Sequence, residues 1–161
     1  MPRPDANQKL LPSVLDRLID LEPRVSSEAQ EAGSQRVEQM KESVKRDLEW
    51  LLNSKRTATE PASDLPQLQE SLLNYGLPDL SSLSFNSGKD RARLLTAIED
   101  AIRRCEPRLS HVKVNLEQGH EFERALRFRI DAMLNLDPAP EPVTYDSVLQ
   151  LNTKAFVVQG G

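Results

Sequence analysis

The stretch Leu126-Arg127-Phe128-Arg129-Ile130-Asp131-Ala132-Met133-Leu134 alternates between apolar and mainly charged side chains. Successive side chains of a strand point to opposite faces. A period of two therefore puts Leu126, Phe128, Ile130, Ala132 and Leu134 on one face and Arg127, Arg129 and Asp131 on the other. The segment reads as a half-buried strand. Before it, Val112, Val114 and Leu116 alternate with Lys113 and Asn115 and predict a second strand that ends ahead of Gly119. After it comes the proline-rich connection Asp137-Pro138-Ala139-Pro140-Glu141-Pro142. Val143, Tyr145, Val148, Leu149 and Leu151 then predict a third strand with an irregularity, and Ala155 to Val158 a fourth beyond the turn-like Asn152-Thr153-Lys154.

Toward the amino terminus the period changes to that of helices. Val37, Met40, Val44, Leu48 and Leu51 recur three or four apart, with Lys41, Glu42, Lys45, Arg46 and Glu49 on the other faces. Trp50 and Leu52 fall outside that stripe, so the apolar face is wide or has a second contact to make. Leu94, Leu95, Ile98, Ala101 and Ile102 form another stripe between Asp90 and Arg104. Ser87 and Asp90 resemble a capping box at its start, Arg103 and Arg104 suit the negative end of its dipole, and Pro107 forbids continuation. Two shorter helices are expected: one over Val14, Leu15, Leu18 and Ile19 behind an N-capping Ser13, stopped by Pro23, and one over Leu68, Leu72 and Leu73 with Gly76 as its C-cap. The residues around 25–34 and 57–66 read as connections.

Helices first and strands last predict an α+β domain, with N-terminal helices packed on one face of a C-terminal, mainly antiparallel sheet of three or four strands. At 161 residues the chain suits one domain, assigned to residues 10–161, after a polar, disordered arm over residues 1–9 containing Pro2 and Pro4.

Composition narrows the function. Charged residues make up 29% of the chain, and 25 acids interleave with 21 bases for a net charge of −4, so no general basic field draws a phosphate backbone. Nucleic acid is not an expected partner. Cys105 is the single cysteine and cannot close an intrachain disulfide. No apolar run approaches the ~20 residues that cross a bilayer, and residues 1–20 lack the apolar core of a signal peptide. A cytoplasmic protein that is not membrane-embedded is expected.

Constellations for chemistry are sparse. Six scattered glycines make neither a phosphate loop nor a dinucleotide fingerprint, and His111, His120 and Cys105 have no zinc-like spacing, so no metal and no cofactor is expected. Glu99, Asp100 and Glu106 lie close in sequence, and a glycosidase needs two facing carboxyls. Adjacent helical residues, however, point about 100° apart. A solvated helix surface accounts for them, and no catalytic residue is assigned. Arg103, Arg104, Arg108, Arg124, Arg127 and Arg129 would form a basic face if they converged, or separate surface positions screened by Glu99, Glu121 and Glu123.

The most informative short segment is Cys105-Glu106-Pro107-Arg108-Leu109. Proline pushes Glu106 toward an extended backbone, so Glu106 and Arg108 project to the same side and present an acid beside a guanidinium fork. That pair suits a partner's polar groups. It equally suits closing on itself or capping the helix before it, and the residues alone leave both readings open. The second copy of the tripeptide, Glu22-Pro23-Arg24, has no strand after it and reads as a helix stop.

The order of blocks is also recognisable. Leu11-Pro12-Ser13-Val14-Leu15-Asp16-Arg17-Leu18, then Glu42-Ser43-Val44-Lys45-Arg46-Asp47-Leu48-Glu49-Trp50-Leu51-Leu52-Asn53, then Ser71-Leu72-Leu73-Asn74-Tyr75-Gly76-Leu77-Pro78-Asp79 resemble the TssE family of type VI secretion baseplate subunits. The helix ending in Glu106-Pro107-Arg108 and the strand from Leu126 to Ile130 resemble the wider group of lysozyme-like wedge proteins of contractile phage baseplates. The resemblance spans nearly the whole chain. It implies a structural, non-enzymatic subunit beside TssF, TssG and TssK, placed where the contractile sheath begins. It also implies that Glu106, Pro107 and Arg108 are the partner-binding residues. The alternative, from another class, is a peptidoglycan-cleaving enzyme using Glu99 or Glu106 as its acid. A strand-accepting edge for sheath subunits is expected at 143–151 or 155–158, since three or four strands cannot close a barrel.

Overall fold

A computed structural model describes residues 18, 33–56, 64, 66–69, 71–80, 83–84, 87–117, 125–137 and 139–160. The expected arm over residues 1–9, the helix behind Ser13 apart from the exposed, helical Leu18, the connection at 25–32, His120 and Arg124 lie outside the described residues.

Two long helices precede the sheet: α1, Gly33–Asn53, and α3, Gly88–Cys105, with the short α2, Pro66–Gln69, and a 3-10 turn, Leu72–Asn74, between them. The stripe expected along α1 is the buried one, since Val37, Val44, Leu48, Leu51 and Leu52 are all in the core. Each such side chain contributes ~1.5–3 kcal/mol on full burial. Trp50 stays half exposed on the other side, under the Arg46 guanidinium at 5.1 Å. At the end of α1 the Asn53 side-chain amide donates to the Glu49 carbonyl (2.9 Å) and the Ser54 hydroxyl to the Trp50 carbonyl (2.7 Å), the latter within the last turn, where a helix leaves carbonyls without backbone partners.

The capping box of α3 takes a modified form. The Ser87 hydroxyl accepts from the Asp90 amide, but the Asp90 carboxylate reaches back to the amide of Ser84 instead of Ser87. The Ser87 amide is already bonded to the Ser84 carbonyl. The short helix expected over Leu68, Leu72 and Leu73 is broken into α2 and the 3-10 turn, with Leu72 88% and Leu73 57% exposed. Gly76 is not its C-cap, a place held by Tyr75. Gly76 has φ +98°, and a Cβ there would meet the Ser54 carbonyl. Glycine lets the chain pass α1 closely enough for the Leu77 amide to bond the Ser54 carbonyl and the Arg56 amide the Leu77 carbonyl.

Four strands follow: β1, Leu109–Glu117; β2, Ala125–Leu134; β3, Glu141–Gln150; and β4, Ala155–Gly160. They form one antiparallel sheet in chain order. The α+β arrangement expected from the sequence is the one found. Helix α1 packs against β4 and α3 against β1, and the core lies between the helices and the sheet face carrying Val114, Phe128, Ile130, Leu134, Tyr145, Leu149 and Phe156. The opposite face carries cross-strand polar pairs, such as Arg129 with Glu117 (2.6 Å) and Thr144 with Asp131 (3.0 Å).

The irregularity expected in the third strand lies elsewhere. β3 pairs with β2 without a slip from Glu141 to Gln150, whereas β1 shifts register between Ser110 and Lys113, where His111 takes φ 52°. The sequence misleads at β3 because Ser147 occupies a core position and Val148 the outer face beside Arg127 and Val157. Of the two stretches expected as an edge, 155–158 is at a margin and 143–151 is not. β3 has a neighbour on each side, so the stretch 143–151 is not an edge, and the margins of the sheet are β1 and β4.

Candidate functional site

Glu106 ends α3, with its amide on the Ile102 carbonyl (2.8 Å), and its own carbonyl accepts from the Leu109 amide (3.1 Å). Pro107 therefore sits in a tight corner between α3 and β1. Proline suits it by fixing its own φ and by driving Glu106 out of helical geometry, to φ −121° and ψ 83°.

Glu106 is a buried carboxylate, 5% exposed. It accepts from the Arg108 amide (3.1 Å) and from Arg108 Nε (2.7 Å), and its second oxygen takes Arg108 Nη2. This two-pronged contact is the geometry in which a guanidinium and a carboxylate bind best. Helix α1 completes the cluster: Arg108 Nη1 donates to Ser43 Oγ (3.0 Å) and Nη2 to Asp47 Oδ2 (2.6 Å). Arg46 binds the other Asp47 oxygen at 3.0 Å. Burial by itself would lower the Arg108 pKa, but Glu106 and then Asp47 outweigh it and hold the guanidinium charged more firmly than usual.

Of the sequence's two readings of the pair, the acid and the fork close on each other and are braced by α1. Pro107 is left exposed, and the Arg108 side chain keeps 20% of its surface. The corner is held from a second side by Asn135, just past β2. Its amide donates to the Arg108 carbonyl (2.8 Å), its Nδ2 to the Pro107 carbonyl (3.1 Å), and its Oδ1 accepts from Ser110 (2.6 Å).

Two tyrosines lie near the cluster. Tyr145 is fully buried and donates to the Lys41 carbonyl at 3.3 Å. Burial raises its pKa well above the usual phenol value; Arg108 opposes the shift, and Glu106, Glu42 and Glu38 reinforce it. Tyr75 is raised as well, chiefly by burial, with Cys105, Asp47 and Glu106 adding to it. Close by, Lys41 bonds Glu141 (3.0 Å) and Glu38 (3.3 Å), which together overcome the downward effect of its burial.

Ser43, Asp47 and Asn135 escaped the sequence reading. Asp47 follows Ser43 by one helical turn, a signal that they share a face, but nothing local says that this face meets a residue more than sixty positions away. The other candidates do not gather. Glu99 accepts from the Val114 amide (2.8 Å) and shares Arg103 (3.9 Å) with Asp100 (3.0 Å), whereas Glu106 is taken up by Arg108, so all three acids are engaged within the fold. Three of the arginines are taken up by acids at separate places: Arg103 pairs with Asp100, Arg108 with Glu106 and Asp47, and Arg129 with Glu117. Among the described residues no cluster of His, Cys, Asp or Glu is suited to hold a metal, and no helix is long and apolar enough to cross a membrane.

No curated protein and no solved structure matches the chain. Comparison with protein families matches residues 38–139 to baseplate wedge protein gp25. That stretch runs from α1 through the Glu106-Pro107-Arg108 corner to the end of β2 and beyond, more than half of the 161 residues. The chain belongs to the baseplate wedge protein gp25 family, and its role is a structural one within a baseplate.

Proposed function

We propose that the chain is a TssE-type subunit of a type VI secretion baseplate. In this reading it is a cytoplasmic, non-enzymatic protein that binds the wedge proteins TssF, TssG and TssK through Glu106, Pro107 and Arg108 and helps attach or initiate the contractile sheath. The observation that carries the reading is the preorganised corner. Glu106, Ser43, Asp47 and Asn135 fix the position of Arg108 and the path of Pro107 before any partner arrives. Rigid groups lose little freedom on binding, which favours affinity. Glu106 then acts from behind, orienting the guanidinium, while Pro107 and the exposed rim of Arg108 meet the partner. Residues 10–161 act as the folded unit and residues 1–9 as an arm. The sheath contact does not rest on a ready-made open strand at the carboxy terminus, since β3 is flanked and β4 is engaged by α1.

Truncating Arg108 would disturb folding and binding together, so the test is made at Pro107. Pro107→Arg alters the exposed tip and leaves the Glu106, Arg108 and Asp47 side chains in place. The tagged chain is expected to recover wedge subunits from native lysate. The variant is expected to lose them while staying folded, its thermal midpoint lowered only by the loss of proline's hold on the local backbone. A folded variant that recovers TssF and TssG as well as the unaltered chain does would remove the corner from the interface. Purified peptidoglycan is expected to stay insoluble with the chain; release of soluble fragments that Glu99→Gln or Glu106→Gln abolishes would restore the enzyme reading.

A further inference from the structure

Strand β4 is a margin of the sheet, and its sequence, Ala155-Phe156-Val157-Val158-Gln159-Gly160, has no charge and no proline. A short uncharged segment rich in β-branched and aromatic residues is what pairs with copies of itself when its edge is free. Margins are ordinarily blunted from within, by lysine, proline or a bulge. β1, at the other margin, has such devices: Lys113, Glu117 and a register shift at His111. β4 has none of its own.

Its protection comes from α1. The Phe156 amide donates to Asn53 Oδ1 (2.9 Å), and Asn53 Nδ2 donates to the Phe156 carbonyl (2.8 Å). A side-chain carboxamide thus exchanges both bonds with one residue, as the backbone of a neighbouring strand would. Two residues on, the Val158 amide donates to Glu49 Oε2 (3.0 Å). In an antiparallel pair, alternate residues turn their amides away from the partner strand, and Phe156 and Val158 are the ones that turn away from β3. Glu49 and Asn53, one helical turn apart, stand where a fifth strand would run. Their spacing matches the spacing of the outward amides, and Asn53 is itself steadied by the Glu49 carbonyl.

We infer that Glu49 and Asn53 form a latch over a masked self-pairing site, and that the occupant it excludes is the β4 strand of a second copy of this chain. Two β4 strands meeting antiparallel about a twofold axis would offer each other the same outward groups, which is the self-complementary arrangement of a symmetric dimer. Nothing in β4 would repel the second copy. Val157, 37% exposed, and Gln159 lie on the face away from the core, where they would continue the pleat across the junction. This inference concerns the isolated chain and holds whether or not Glu106-Pro107-Arg108 binds wedge subunits.

The test is the double variant Glu49→Ala, Asn53→Ala, purified alongside the unaltered chain and weighed by light scattering across a dilution series. Relative to the unaltered chain, the variant's mass is expected to rise with concentration toward double. Adding Val157→Lys, which sets like charges against each other across the twofold axis, is expected to restore the smaller mass. A folded double variant that keeps the unaltered chain's mass at every concentration would overturn the inference, and so would association that Val157→Lys leaves untouched. If the double variant does not fold, amide exchange in the unaltered chain decides. A closed latch protects the Phe156 and Val158 amides as well as the Val157 amide that faces β3, whereas exchange as fast as an open edge refutes it.

Discussion

Helix α1 grips the sheet region at two places by different chemistry. Midway along it, Ser43 and Asp47 hold Arg108, and through it Glu106, in a cluster made largely of charged side chains. At its end, Glu49 and Asn53 hold the main chain of β4. The corner needs particular residues on both sides. The margin needs them only on the helix, because any strand sequence supplies amides and carbonyls. The two should therefore fail differently. Removing a member of the corner leaves a buried charge without its counterpart, which the fold cannot accommodate. Removing a member of the margin frees backbone groups that water or another strand can satisfy.

The largest expected effect is at the corner. Arg108→Ala would leave Glu106 buried without its counter-ion and Asp47 with Arg46 alone. Breaking a buried pair from one side costs ~3–5 kcal/mol, and the surface that Arg108 keeps argues for the lower end, about 3 kcal/mol. Urea unfolding should show the midpoint fall at unchanged slope. Arg108→Lys should recover only part of the loss, because an ammonium cannot make the fork to Glu106 while reaching Ser43 and Asp47. A loss under about 1 kcal/mol in Arg108→Ala would make the corner no different in kind from the margin.

The contrast between these two places also marks what the sequence could tell. Period-two alternation located β1 and β2, and three-and-four spacing located α1 and α3, because apolar burial writes itself into local pattern. The Glu106-Pro107-Arg108 corner was legible for the same reason: proline acts on its own neighbours. What stayed hidden were contacts between distant segments, such as Asp47 to Arg108 or Asn53 to Phe156, since a polar residue on a helix flank looks alike whether it faces water or a strand edge. The third strand went partly astray where a serine lies inside and a valine outside, and the short helix near Leu72 because leucine spacing alone does not bury a side chain.

The next effect in size belongs to the margin. Asn53→Ala removes both bonds to Phe156 and one to the Glu49 carbonyl. Because Asn53 is itself exposed, water can replace part of what is lost, and a cost of about 1–2 kcal/mol is expected. Amide exchange should quicken at Phe156 while β2 keeps its protection. Uniform quickening through the sheet would mean that the margin, like the corner, supports the whole fold.

Tyr145 lies on the corner's side of the comparison and adds a dependence on pH. Tyr145→Phe removes the bond to the Lys41 carbonyl at a cost of about 1 kcal/mol. In the folded chain its pKa is raised above the ordinary value of about 10, so above that pH the folded state holds a proton that the unfolded state releases. The stability from keeping this phenol neutral is fully present below about pH 10. It is lost as the pH climbs toward the folded value, where ionisation favours unfolding. The unaltered chain should lose stability steeply above about pH 10 and Tyr145→Phe less steeply, with Tyr75 and the ion-paired Lys41 contributing in the same direction. Equal slopes in the two would place the alkaline weakness outside the corner.

The smallest effect is expected between the two grips, and its sign is reversed. Ser147 lies on β3 two residues from Tyr145, paired with Phe128 on one side and Val158 on the other, and is 1% exposed. Among the described residues its hydroxyl is the one buried side-chain polar atom without a hydrogen-bond partner. Burying a hydroxyl unpaired costs on the order of 1 kcal/mol or more, whereas the oxygen itself fills little space. Ser147→Ala removes that penalty and leaves a gap smaller than a methyl group, so the two terms nearly cancel. The expected change lies between zero and about +1 kcal/mol of stability, read as an unchanged or slightly raised urea midpoint. Val158, whose amide is held by Glu49, is the cross-strand neighbour of this position, so the result also bears on the margin. A loss of 1 kcal/mol or more would mean that the hydroxyl is hydrogen-bonded in solution. The interior between corner and margin would then be polar, and the two grips would form one continuous network along α1 in place of separate contacts.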